Sequence, residues 1–330
     1  MIALFKQKSP GNVGVLLIFG LLLKLPIFLY PRAVITTEND GKLYQWLISE
    51  FSAGSAGNTI LWSVVSFLLL YVQSLMINFL VTEYRMVTRQ NYLPAMAYLI
   101  ITSLLPEWSY LSAPLVSNTF IIWMFIKLFR LYNAPNAKAK VYNIGLIAGI
   151  SSYIYFPSSL FIVCILLGLI ILKPFRINEI ALFIVGSLTP YYFYAVYLFL
   201  VNRLSIPAFF PHISVKVPLI KSTIWLACAT LLLAVPFLIG GYFVQTHLRK
   251  MLIQVRKNWS ILLLYLVLAF FVPFINGGQT FYSWVLLTAP FAAFHACAYF
   301  YQRKGFISLI LFFVSVGFVL YLQYGTQAWR

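Results

Sequence analysis

Residues 142–173 read YNIGLIAGISSYIYFPSSLFIVCILLGLIILK, with no charge before Lys173 and the pair Phe156-Pro157 near the middle. A membrane-crossing helix needs about 20 predominantly apolar residues, so this stretch is long for one crossing and short for two. Read as a single crossing, it would carry Lys173 and Arg176, and after them Arg249 through Lys257, to the side of the membrane away from the other basic segments. Two short helices broken at Phe156-Pro157 keep these residues together, as the bias of Lys and Arg toward cytoplasmic loops requires. A helix of about 15 residues rises only ~22 Å against a hydrocarbon layer of ~30 Å. The break is therefore expected below the outer surface, leaving a recess there.

The rest of the chain agrees with a membrane reading. Of 330 residues 62% are hydrophobic and 9% charged, whereas about a quarter of an ordinary soluble domain is charged; a water-soluble enzyme is excluded. Apolar runs fall near 12–31, 59–81, 93–111, 115–131, 142–156, 157–173, 177–201, 222–245, 259–275, 282–301 and 306–324. The expectation is an all-α polytopic integral membrane protein of about 11 transmembrane helices, with 1–330 as a single domain. The run Val13 to Tyr30 is of full span length and has no small-residue cleavage site, so it is expected to remain as the first membrane helix. Cys164, Cys228 and Cys297 lie in apolar runs and read as small core residues. Prolines 190, 236, 273 and 290 and the pair Gly240-Gly241 predict kinks or close helix contacts.

Twenty-three Lys and Arg against six Asp and Glu give a net charge of +17. With a cytoplasmic N-terminus, sixteen of these cations fall inside. Outside are Arg32, Lys42, Arg203, Lys216, Lys221 and Arg330, and Lys24 sits within the first span. The charge is then a topology signal facing anionic headgroups. No nucleic-acid partner is expected, and membrane lipid is.

The acids are few enough to take singly. Glu83 and Glu179 fall inside; Glu38, Asp40, Glu50 and Glu107 fall outside. Asp40 lies in the first outer loop, 32–58, just ahead of a segment of about 41–52 in which Lys42, Gln45 and Ser49 share one helical face and Leu43, Tyr44, Leu47, Ile48 and Phe51 the other. That pattern predicts an interfacial amphipathic helix. Asp40 either caps this helix or acts as a general base toward a hydroxyl, and the two roles can coexist. Glu107, beside Trp108 and Tyr110, is a solvated loop acid or a second carboxylate that meets Asp40, where it would hold a divalent metal ion or raise the pKa of Asp40. Lys24 either snorkels to the outer interface or pairs with Asp40 or Glu50. The outer segment Asn202 to Lys221 carries Arg203, His212, Lys216 and Lys221, either as a solvated loop or as cations that neutralise a phosphate leaving group. HExxH, P-loop and GxGxxG patterns are absent.

The segment Leu23-Lys24-Leu25-Pro26, followed by an acid and an interfacial helix in Asp40-x-x-x-Tyr44, resembles the GT-C superfamily of polytopic membrane glycosyltransferases. Also similar are the glycine-bearing helix Gly145 to Ser152 with its Tyr-Phe-Pro break, and Gly186-x-x-x-Pro190. The resemblance implies catalytic acids in the first and second outer loops, which Asp40 and Glu107 match, and a lipid-phosphate-linked sugar donor. The chain departs from the paired acids of that group with Glu38-Asn39-Asp40, and it lacks a large outer domain. It also looks like a group of short bacterial inner-membrane proteins of unassigned activity that begin with a similar Met1-Ile2-x-x-Phe5 segment.

The expected activity is transfer of a sugar from a polyprenyl-phosphate-linked donor to an acceptor at the outer face of the bacterial cytoplasmic membrane, the N-terminus lying inside and the C-terminus outside. Asp40 and Glu107 form the expected catalytic pair. Lys24, Glu38, Arg203, His212, Lys216 and Lys221 form the expected substrate-binding set. The alternative is a non-catalytic membrane subunit or scaffold of a cell-envelope assembly, with membrane-protein partners. Ion-coupled transport ranks below both, since it needs several charges at bilayer depth and only Lys24 qualifies.

Overall fold

In the computed structural model the described residues are all except 1, 8, 35, 38–39, 53–58, 136, 175, 204–213, 219–222, 276–280, 303–304 and 326–330. Among them every regular element is a helix: α1 (Ile2–Phe5), α2 (Gly11–Leu29), α3 (Lys42–Ser52), α4 (Thr59–Glu83), α5 (Leu93–Ile101), α6 (Ala113–Phe129), α7 (Lys138–Ile154), α8 (Leu160–Leu172), α9 (Ile177–Leu200), α10 (Ile224–His247), α11 (Ile253–Phe271), α12 (Thr288–Tyr301) and α13 (Gly305–Leu320). Seven helical segments, those of α2, α4, α9, α10, α11, α12 and α13, are long and apolar enough to cross a membrane. The chain is a multi-pass membrane protein by this measure. Its lipid-suited exterior includes α9, where Phe193, Phe199 and Leu200 are exposed.

The remaining apolar runs form shorter helices. The run at 93–111, expected to cross, forms no single long helix: it folds as the nine-residue α5, a turn, and a 3-10 helix over Pro106–Ser109. Pro106 explains the stop: it has no N–H for the Thr102 carbonyl four residues back, and that carbonyl accepts instead from Lys24 Nζ at 3.2 Å and Ser109 Oγ at 3.3 Å. Every residue of α5 is buried, so this helix is core and meets no lipid.

The stretch 142–173 breaks as its proline requires. α7 ends at Ile154, a 3-10 turn covers Phe156–Ser159, and α8 follows. Pro157 has no N–H for the carbonyl of Tyr153 four residues back. The Ser158 N–H turns to Tyr155 O at 3.0 Å, releasing the carbonyl of Ile154 from the helical ladder.

Close packing between helices rests on small residues, as it does where lipid supplies no hydrophobic drive for association. In α7, a Cβ at Gly145 would lie 2.2 Å from the Phe183 carbonyl oxygen and one at Gly149 2.3 Å from that of Ser187, both in α9. In return, a Cβ at Gly186 would lie 2.4 Å from the Tyr142 carbonyl oxygen. Inside the bundle a polar set links four helices. Gln73 in α4 donates to the Leu115 carbonyl at 2.8 Å and to Thr119 at 2.7 Å, and it accepts from Tyr98 in α5. Asn118 in α6 donates to the Tyr98 hydroxyl at 3.0 Å and accepts from Tyr265 in α11 at 3.2 Å. Paired in this way, buried polar groups specify one arrangement rather than destabilising it.

The adjacent glycines of α10 provide a test. A Cβ at Gly240 would meet the Phe294 carbonyl oxygen of α12 at 1.9 Å, whereas one at Gly241 would meet nothing within 4 Å. Gly240→Ala is expected to lower stability by about 1–3 kcal/mol, the usual range for overpacking, while Gly241→Ala is neutral or gains up to ~1 kcal/mol from helix propensity. Thermal unfolding of the two variants in the same detergent checks the contrast.

Candidate functional site

The Ile154 carbonyl released at the break is taken by the loop between α2 and α3. Gly41 N–H donates to it at 2.8 Å, and Asp40 and Tyr155 form an isolated antiparallel bridge. Only glycine allows the contact, because a Cβ at position 41 would lie 1.9 Å from the Tyr153 carbonyl oxygen and 2.6 Å from that of Ile154. The docking sets Asp40 on the wall of a cavity of about 490 Å³. Its lining joins the outer end of α2 (Arg32, Ala33, Val34), the loop residues Thr37 and Asp40, the start of α4 (Trp62, Ser63, Ser66), residues 110–114, Tyr155, and Pro273, Ile275, Tyr282 and Ser283. A recess thus lies beside the broken helix, and Asp40 opens onto it.

Asp40 is 8% exposed. Its Oδ2 accepts the Thr37 N–H at 2.7 Å, and its own carbonyl accepts from the side chain of Gln45 at 2.9 Å. The carboxylate thus closes a turn with the residues before it, and the expected cap on α3 is not the bond it makes. Burial raises its pKa above the ordinary carboxylate range, partly opposed by the hydrogen bonds from Thr37. Two tyrosines share its surroundings. Burial and then the Asp40 charge push up the hydroxyls of both Tyr44 and Tyr155, and the Tyr44 hydroxyl is buried without a hydrogen-bond partner. α3 itself forms where its amphipathic pattern placed it, with Tyr44 and Ile48 buried and Trp46 and Phe51 exposed.

Glu107 does not line the cavity. Its Oε2 accepts the Phe281 N–H at 2.6 Å, while Trp108 Nε1 donates to the Phe281 carbonyl at 2.8 Å. The 3-10 turn thus grips both sides of one residue and sets Tyr282 and Ser283 into the cavity wall. Glu107 is half-buried, and burial raises its pKa against the opposing effects of the Phe281 N–H and the charge of Arg32. Among the described residues no hydrogen bond joins the two acids; Tyr44 feels the charge of Asp40 and lies near Tyr282, and Tyr282 in turn feels that of Glu107. Among the described residues no group of three or more His, Cys, Asp or Glu side chains could hold a metal ion, and Asp40 is the one acid on the cavity wall.

Lys24 takes neither expected role. It is fully buried, donating to the Thr102 carbonyl at 3.2 Å and to Ser109 Oγ at 3.0 Å, and no ion pair joins it to Asp40 or Glu50 among the described residues. Snorkelling fails because α2 is covered at this level by the end of α5 and the turn after it. The Ser109 carbonyl accepts from Ser66 Oγ at 2.6 Å, and Ser66 lines the cavity, so Lys24 braces the cavity wall from behind.

Of the expected cations of the segment 202–221, the two described ones are not at the site. Arg203 and Lys216 are exposed and line no part of the cavity, although the Lys216 N–H donates to the Phe274 carbonyl at 3.0 Å and Val215 bridges Ile275 nearby. Glu38, His212 and Lys221 lie outside the described residues. The cation on the cavity wall is Arg32, which stands 4.8 Å over the Tyr110 ring. Sequence reasoning counted Arg32 only as an outside charge; its position directly after Pro31, at the outer end of the first span, was the available signal. No protein-family model, curated protein or solved structure matches the chain.

The raised Asp40 pKa has a defined sign in stability. A carboxyl whose folded pKa exceeds its unfolded value binds its proton more tightly in the folded state. Its stabilising contribution is complete below the unfolded pKa and is lost as pH rises through the folded one. Asp40→Asn is therefore expected to unfold at a higher temperature than the native protein near pH 8, with the gap narrowing as pH falls and closing below the ordinary Asp pKa of about 4. Thermal melts across that range test it; equal melting temperatures at high pH would show that Asp40 is not held in an unfavourable environment.

Proposed function

We propose that the chain is a GT-C-type membrane glycosyltransferase, transferring a sugar from a polyprenyl-phosphate-linked donor to an acceptor hydroxyl at the outer face of a bacterial inner membrane. The observation that carries this reading is the position of Asp40, nearly buried on the wall of a cavity of about 490 Å³ that Arg32 also lines. In the proposed reaction the acceptor O–H gives its proton to Asp40 as its oxygen forms a bond to the anomeric carbon. The bond from that carbon to the phosphate oxygen breaks, and the lipid phosphate leaves with the electron pair. A carboxylate whose pKa is raised toward working pH suits proton abstraction, and Arg32 supplies positive charge where the phosphate departs.

The roles of the other residues follow from their contacts. Glu107 and Trp108 hold Phe281, and so act on the cavity through Tyr282 and Ser283 as positioning residues. Arg32 replaces Arg203 and Lys216 as the phosphate-facing cation. The orientation belongs to the same proposal: eleven passages, counting the short helices and the segment 93–111, in which α5, the turn and the 3-10 helix together make the passage, with the N-terminus inside and the C-terminus outside, which keeps most basic residues on the cytoplasmic side.

Replacing Asp40 with Asn removes the base while preserving side-chain size. The lipid-linked sugar pool and the glycan product, followed by mass spectrometry, are expected to show turnover reduced by about 10²–10⁴-fold, the usual contribution of a general base. Arg32→Gln is expected to lower turnover as well. Unchanged turnover in a stably folded Asp40→Asn protein would remove the catalytic role and leave a membrane subunit or scaffold.

A further inference from the structure

We infer that a second cleft, at the opposite ends of α2 and α4 from the outer cavity, binds a phosphate ester, supplied by the headgroup of an anionic membrane lipid. The cleft has a volume of about 560 Å³, and its lining includes Lys6, Thr88, Arg89 and Tyr301 together with the apolar Ala3 and Phe300. Two cations thus share one hollow, and among the described residues its lining contains no acid and neither cation forms an ion pair. Like charges held together in this way call for a counter-anion. A third polar group points to the same chemistry: the Tyr301 hydroxyl lies beside Thr88 but is buried with no partner at hydrogen-bonding geometry. An unsatisfied buried donor is costly, and a phosphate oxygen would accept from it while meeting the guanidinium and the ammonium.

The site is built rather than incidental. α1 is fastened on two sides, with Tyr92 N–H donating to the Phe5 carbonyl at 2.8 Å and Asn12 Nδ2 donating to the carbonyls of Leu4 and Gln7 at 2.7 Å each. These bonds hold Lys6 at the lip. Asn91 Nδ2 donates to the Arg89 carbonyl at 2.8 Å, and the Tyr301 ring stacks on His247 with centroids 4.7 Å apart. A lipid source is favoured over a soluble phosphate because Ala3 and Phe300 give the cleft an apolar side and Leu4 beside it is exposed. Basic hollows between membrane helices on the cytoplasmic side are suited to acidic headgroups, and the proposed orientation puts this cleft on that side. The inference does not depend on sugar transfer.

Native mass spectrometry of the delipidated full-length protein tests it, with phosphatidylglycerol and phosphatidylcholine of identical acyl chains as probes and glycerol 3-phosphate as the soluble arm. The native protein is expected to prefer phosphatidylglycerol by about tenfold or more, as two cations near a headgroup would provide. Lys6→Gln with Arg89→Gln should bring the preference close to unity, whereas the charge-matched Lys138→Gln with Lys140→Gln should keep it. Tyr301→Phe, which preserves the ring stacked on His247, is expected to weaken binding several-fold and serves if the double variant does not fold. Binding of glycerol 3-phosphate alone, lost in the same variants, would support the phosphate site and assign it to a soluble ester. A preference that survives both the double variant and Tyr301→Phe, or that falls equally in the Lys138/Lys140 control, would overturn the site.

Discussion

The hydrogen bond from Gly41 N–H to the Ile154 carbonyl joins the two parts of the chain on which the outer cavity depends. A backbone carbonyl released inside a membrane protein has little water to turn to, and an unsatisfied one is expensive. Pro157 and the 3-10 turn after it create that vacancy between α7 and α8, and the loop between α2 and α3 fills it. The approach is so close that position 41 admits no side chain. Asp40 is the residue before the contact, so satisfying the broken helix also sets a carboxylate on the cavity wall.

Other fixed points complete the enclosure. Lys24 holds α2 to the turn after α5, and Ser109, which accepts from Lys24, offers its carbonyl to Ser66 on the cavity wall. Glu107 and Trp108 grip Phe281 and so define the wall at Tyr282 and Ser283. Each brace uses a polar side chain to satisfy backbone or hydroxyl groups where the helices are interrupted. The irregular segments therefore gather around one hollow, and the uninterrupted helices pack through glycine and the buried Gln73, Tyr98 and Asn118 set.

Much of this was legible where the signal was local. The break at Phe156-Pro157 follows from proline's missing N–H, and the α3 helix from the alternation of Lys42, Gln45 and Ser49 with apolar residues. The long spans followed from hydropathy, but composition does not reveal that the stretch 93–111 is broken, because Pro106 cannot continue the ladder and the freed Thr102 carbonyl is taken by Lys24 from another helix. The site was legible only at Asp40. Glu107 finds its partner at Phe281, 174 residues away, through a backbone N–H that no side-chain pattern announces. Lys24 was recognisable as an unusual charge in a span, but its partners, a carbonyl and a hydroxyl on another segment, carry no charge signature. The cations of the 202–221 segment drew attention by number, whereas Arg32 matters by position, at the end of α2 where the cavity opens.

A carboxylate buried at a membrane surface is a poor choice if stability alone is served. The desolvation that raises the Asp40 pKa destabilises the ionised folded protein, and the single backbone donor at Thr37 only partly offsets it. An asparagine could make the same turn without that cost, since its side-chain oxygen accepts from Thr37 equally well. The environment also leaves the Tyr44 hydroxyl without a partner close by, a second polar group kept in an unfavourable state beside the same hollow. Local arrangements that oppose stability are expected where a fold is shaped for binding or chemistry. Their meeting at the outer cavity, with Arg32 at its edge, is a stronger argument for function there than the number of acids on that face.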